Sequence, residues 1–308
     1  MEQINISRKQ KTLIVVGSVL LGFLISVFWS ASFVDSDLGD PIANNLLGYD
    51  AKTTPITGII MGALFAFVSG LAGTFTACNI CAFSAIAPLS SGKRSTGSVL
   101  KPLGFLSLGL IVVAALYGGI GALIGSNLPQ LSTEQLSNGM PVRLLQSVVV
   151  FCLIGITYII WGLGTIKVIP NPFSKFFAKH VWAAPFIMGA TIGAFLIGRP
   201  FPLFRKMFEY AASTHNPFYG SLAFVLQGIG NIIVMAVLFL ILFYGTGGRF
   251  EKWLNAKTNR VVILTAVLLI VSGTFFLSYW GPRILARNNI VSWPYFDWTE
   301  QTIKFQKN

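Results

Sequence analysis

Seven apolar runs, each long enough to cross a hydrocarbon layer of about 30 Å as a helix, take up most of this 308-residue chain and leave it few possible folds. In lipid every backbone polar group must find an internal partner, so runs of this kind are read as membrane-spanning helices. The net charge of +12 raises the question of nucleic acid. Most of the Lys and Arg, however, stand in short clusters beside the apolar runs, which is how orientation in a membrane is encoded. No nucleic-acid module, phosphate loop, dinucleotide glycine fingerprint or catalytic-triad motif is present. Three cysteines cannot build a disulfide framework and two histidines cannot build a multi-ligand metal site, so no metal is expected.

Arg8, Lys9 and Lys11 precede the first run, residues 13–33, and place the N-terminus in the cytoplasm. Ser30-Ala31-Ser32 leaves a cleavable signal peptide open, but the run exceeds the usual apolar region of about 7–15 residues and is read as an uncleaved anchor. Residues 34–54, with Asp35, Asp37, Asp40 and Asp50, form an external acidic loop and close a first region, 1–54. Residues 55–89 are too many for one straight crossing. Gly70 and Gly73, followed by Thr74, Thr76, Cys78, Asn79 and Cys81, mark where that span opens, and Pro88 ends it.

The third and fourth spans are residues 102–125, rich in glycine, and 144–166, which contains Cys152. Residues 181–214 are again overlong and are broken at Gly198-Arg199-Pro200-Phe201-Pro202. The sixth span, 218–245, has a polar notch at Gln227 and Asn231, and the seventh, 261–280, follows a basic loop containing Arg249, Lys252, Lys257 and Arg260. The tail, 281–308, is expected outside the cytoplasm, with Trp293, Tyr295 and Trp298 at the interface.

Beyond the first anchor span lie two sets of three, 55–166 and 181–280, each opening on a broken span. An odd number of spans per unit makes the second copy inverted, the arrangement in which broken helices meet near the midplane. Ile60-Met61-Gly62-Ala63 recurs as Ile187-Met188-Gly189-Ala190, and Gly70 to Cys78 has the spacing of Gly193 to Phe201. The expected fold is therefore an all-α integral membrane protein with one anchor and two inverted three-span repeats.

On these residues the six-span core, 55–280, resembles the membrane domain of the cytochrome c biogenesis and thiol:disulfide interchange proteins, the CcdA and DsbD type. Residues 103–109 and the closing span 266–273 are also similar. In that family each repeat opens on a broken helix with a Pro-Cys pair, and a glycine stands eight residues before the cysteine. Here Ala77 replaces the first proline, Pro200 is kept, and Phe201 stands where the second cysteine would be. Family members accept electrons from a cytoplasmic thioredoxin, close a disulfide between the repeats and reduce an extracytoplasmic thioredoxin-like protein. Without the second cysteine that mechanism does not carry over unchanged.

Thiol exchange needs an attacking thiolate and a second thiol to resolve the mixed disulfide. Cys78 would exchange and Cys81, one helical turn on, would resolve; packing as small apolar residues stays open for both. The resemblance implies thioredoxin-like partners on either side of the membrane, a multi-pass protein of a bacterial cytoplasmic membrane, and no prosthetic cofactor. The alternative is a transporter of small solutes or ions on the same scaffold, its site lined by Thr76, Asn79, Arg199, Pro200, Phe201, Gln227 and Asn231. Arg199 either faces a cavity, where it would meet an anion, or snorkels to headgroups with Arg205 and Lys206. Gln227 and Asn231 share a helix face and serve either a polar lining or helix-to-helix hydrogen bonds.

Overall fold

The computed structural model describes residues 6–76, 96–137, 139–170, 174–180, 182–241, 258–287, 290–298 and 300–306. Five helices among them are long and apolar enough to cross a membrane: α1 (Arg8–Phe28), α4 (Thr96–Ile124), α5 (Val142–Thr165), α9 (Pro217–Leu240) and α10 (Thr258–Ser278). After the short α6 (Ser174–Lys179), a bent pair, α7 (Ala183–Ala194) and α8 (Pro202–Ser213), with axes 84° apart, makes a sixth when the two are counted as one span. This is a mainly helical, multi-pass membrane architecture. The first half of the 55–89 stretch is α3 (Ile59–Ala72), at roughly 21 Å too short to cross alone. Its continuation, with Cys78, Asn79 and Cys81, lies outside the described residues.

Helices in lipid gain little from burying apolar surface against one another, so close approach at small residues has to hold them together. Glycine provides it at five crossings among the described residues. On α3, a Cβ at Gly70 would lie 2.2 Å from the carbonyl oxygen of Gln227, and across the same interface Gly230 would meet that of Phe67 at 2.3 Å. Between α7 and α4, Gly189 would meet the carbonyl of Leu106 at 1.8 Å and Gly109 that of Phe186 at 2.1 Å. Helix α4 also packs along α9, and α5 along α10. Helix α1 lies on α10, where Gly22 lets it approach the backbone of Val271. Aromatic side chains fill the interior, with Phe204, Phe208 and Phe224 in edge-to-face contact and Phe151 stacked on Trp280 at 4.4 Å.

Two segments differ from the sequence reading. The acidic stretch expected as a loop is helical: a wide π-helical turn, Phe33–Gly39, runs into α2 (Asp40–Leu47), which ends at Gly48 in the left-handed conformation. It packs on α3, with Gly39 against Ala72 and Phe201. The tail adds a β-hairpin to the expected all-α fold. Strands β1 (Trp293–Asp297) and β2 (Thr302–Gln306) pair antiparallel, and the hairpin docks on the end of α1 through Phe23, Phe28 and Trp298.

Candidate functional site

Two prolines set the break between α7 and α8. A residue before proline is pushed out of the helical region, and here both Arg199 (ψ 115°) and Phe201 (ψ 127°) are extended. Pro202 then begins α8 at a position where its missing N–H costs nothing. Extended backbone at membrane depth exposes carbonyls that must be satisfied by protein. Gln146 Nε2 donates to the carbonyl of Ile197 at 2.7 Å, and Gln130 Nε2 donates to that of Arg199 at 2.5 Å. Neither glutamine was singled out from the sequence, since nothing near Gln130 or Gln146 marks which carbonyl it would serve.

Arg199 is fully buried and does not snorkel. Its Nη2 donates to the carbonyl of Gly73 at 2.8 Å and to Thr76 Oγ1 at 3.3 Å, while its guanidinium sits between the rings of Phe201 and Phe204. The arginine of the break between α7 and α8 thus ties directly to the turn that follows α3. Lys206 is likewise drawn inward. It donates to the carbonyls of Ala51, Lys52 and Thr54 at 2.7, 3.1 and 2.5 Å and lies over the Phe65 ring. Only Arg205 behaves as a surface cation, paired with Glu209 at 2.6 Å.

Above this junction lies a cavity of roughly 260 Å³, walled by Trp29 at the end of α1, Asp35 in the π-helical turn, Thr76, Phe201, Tyr279 and Trp280. The side chain of Arg199 does not line it and lies between the α7–α8 break and the end of α3. The indole N–H groups of Trp29 and Trp280 are buried without a hydrogen-bond partner in the fold. The two rings wall the cavity, while their nitrogens are themselves enclosed by protein. Arg283 braces the wall by donating to the carbonyls of Ser26 and Trp29 at the end of α1, with its guanidinium over the Tyr279 ring.

Of the expected site residues, Thr76, Arg199, Pro200 and Phe201 come together here, and Thr76, Pro200 and Phe201 line the cavity. Gln227 and Asn231 lie one layer away, at the α3–α9 crossing. Thr74 Oγ1 donates to the Asn231 carbonyl at 3.3 Å. Gln227 is fully buried, and both atoms of its amide lack a partner. Cys152 is half-buried on α5 facing Gly281, and among the described residues it is the one free cysteine. No group of three or more potential metal ligands occurs among the described residues.

The chain is similar to a protein of Porphyra purpurea named as cytochrome c-type biogenesis protein DbsD-like, with 26% identity over 222 residues, covering 69% of this chain and 84% of that protein. No family model matches the chain, and no solved structure matches it.

Proposed function

We propose that this chain is a membrane component of thiol/disulfide handling, related in architecture to the CcdA and DsbD membrane domains, that passes reducing equivalents between thioredoxin-like partners. The name of the Porphyra purpurea relative supports the family. The observation that carries the reading is the position of Thr76. It lines the cavity, accepts from Arg199 at the second break, and stands two residues before Cys78 in the chain.

In the proposed reaction the Cys78 thiolate attacks a partner disulfide, forming a mixed disulfide and releasing one partner thiolate. The Cys81 thiolate then attacks Cys78 Sγ, closing a Cys78–Cys81 disulfide and releasing the second partner thiolate. Two electrons pass to the partner with two protons, and a reduced thioredoxin-like protein on the other side restores the dithiol by the reverse exchange. Phe201 takes no part in the electron path and serves as an apolar wall.

The inverted repeat is part of the same proposal, and the helix pairing supports it. The first helix of each repeat packs on the second of the other, α3 on α9 and α7 on α4, each pair through two glycine-to-carbonyl approaches. These contacts pair Gly70 with Gly189, whereas the sequence matches pair Gly70 with Gly193 and Gly62 with Gly189, so the packing supports the pairing of helices and not the residue register. Basic clusters at one end of the bundle support a cytoplasmic N-terminus, with the cavity opening on the other side.

Cysteine substitution tests the reading. C81S should trap a mixed disulfide with a thioredoxin-like protein, visible without reduction by mass, C78S should abolish it, and C152S should change nothing. Absence of any adduct with C81S, together with free and unreactive thiols in the wild-type membrane, would remove the redox role. One observation favours the second reading, transport of a small polar solute: the unpartnered amide of Gln227 at the α3–α9 crossing. Solute flux lost in Q227L and retained in C78S/C81S would establish it.

A further inference from the structure

A second cavity, of about 480 Å³, lies at the opposite end of α1, between its first turns and the turn that follows α5. Arg8 and Lys11 line it from α1 and Lys167 from the turn, while Ile6, Val15 and Val168 form its apolar wall. Among the described residues no acid lines it and none forms a salt bridge with these three cations. Lys11 Nζ donates to the carbonyl of Lys167 at 2.8 Å, which holds the two walls together.

The position of Lys167 is itself informative. With φ of 57° it occupies the left-handed site of a Schellman cap, its N–H bonded to Gly164 and that of Val168 to Leu163. Glycine is the usual residue there, because a Cβ strains the backbone. Here a long cation stands in that place. Running away from the cavity along α1 are Val16, Leu20 and Leu24, exposed and four residues apart on one helix face. The chain therefore presents three cations that no acid among the described residues pairs, at one end of an exposed apolar strip.

We infer that this groove binds the phosphate headgroup of an anionic phospholipid, whose acyl chains lie along the Val16–Leu20–Leu24 face. Charge complementarity selects the phosphate, and continuity with the exposed strip selects a lipid over a free anion. The inference does not depend on the thiol chemistry, only on the chain lying in a membrane.

The full chain can be tested in nanodiscs of phosphatidylcholine with and without phosphatidylglycerol, and by native mass spectrometry of retained lipid. The expected result is a higher Tm in phosphatidylglycerol and retention of the anionic lipid. Both should be lost in R8Q/K11Q/K167Q, with affinity falling at least about tenfold. K9Q/K101Q/K179Q, an equal change of charge outside the groove, should keep both. K167G removes one groove cation while relieving the cap, so its Tm in phosphatidylcholine should equal or exceed that of the wild type while retention falls. Equal losses from the two triple variants would reduce the effect to general surface charge and overturn the site. Stabilisation by inorganic phosphate alone that matched phosphatidylglycerol would overturn the lipid as its ligand.

Discussion

Arg199 reaches across the interior to Gly73: its Nη2 lies 2.8 Å from the Gly73 carbonyl and only 1.9 Å from where a Cβ on Gly73 would stand. The contact joins the α7–α8 break to the end of α3 and leaves room for no side chain at residue 73. G73A should displace the guanidinium and destabilise the protein by about 1–3 kcal/mol, the usual range for overpacking. R199L removes hydrogen bonds from a charged donor at about 1.5–3 kcal/mol each. In the R199L background the clashing atom is gone, so G73A should add little. Thermal unfolding of the single and double variants in one detergent checks this, and additive losses would mean that the two residues do not interact.

Four of the glycine-to-carbonyl approaches, those of α3 with α9 and of α7 with α4, predict a second pattern. G70A, G109A, G189A and G230A each drive a methyl group into a backbone carbonyl of another helix and should each lower stability by about 1–3 kcal/mol. G17A and G104A have open space around the new Cβ and should be neutral, or stabilising by up to about 1 kcal/mol through helix propensity. If the repeats are related as proposed, G70A and G189A should resemble each other more closely than either resembles G109A. Scatter without that pairing would weaken the repeat.

The break at residues 198–202 was legible because its cause is local: two prolines fix the backbone on either side of Phe201 whatever surrounds them. The burial of Arg199 was not. Whether an arginine snorkels or turns inward depends on a carbonyl more than a hundred residues away, and sequence spacing carries no sign of that. Gln130 and Gln146 escaped notice for the same reason. The acidic 34–54 segment was read as a loop from its charge, yet its backbone bonds are satisfied by helical turns and only its exposed side chains needed to be polar. The placement of Trp29, Asp35 and Trp280 around one cavity follows from α1 lying on α10, an interface set by Gly22 that no motif announced.

Asp50 should make the 48–54 turn sensitive to acid. Its carboxylate accepts from the N–H of Lys52 at 2.8 Å and of Thr53 at 3.3 Å. These bonds, with that of the Thr53 side chain, hold its pKa below the ordinary value. A depressed pKa means that the stabilisation is fully present above the unfolded value of about 3.9 and is lost as pH falls through the lower folded one. The same turn presents the carbonyls that receive Lys206. Hydrogen exchange at the Lys52 and Thr53 amides should therefore show protection falling only below about pH 4. D50N should show the weakened protection already at neutral pH. A wild-type loss centred near pH 6 would assign the effect to another group.

Trp280 provides the sharpest test of the cavity as a docking place for a partner. Its indole N–H is buried and unsatisfied, while its ring stacks on Phe151 at 4.4 Å. W280F keeps an aromatic ring against Phe151 and deletes only the donor and part of the ring area. Relief of an unsatisfied donor, at about 1–3 kcal/mol, opposes the lost packing, so stability should stay within about 1 kcal/mol of the wild type. If the proposed thioredoxin-like partner docks over the cavity and a shift of the ring brings the buried indole N–H to one of its carbonyls, kcat/KM for the proposed thiol exchange should fall about three- to tenfold, the worth of one hydrogen bond, with stability still within that range. W29F should behave in the same way because it removes the companion donor. Unchanged exchange in both variants would place the partner elsewhere and leave the cavity to a small ligand, whose binding the same two variants would then report.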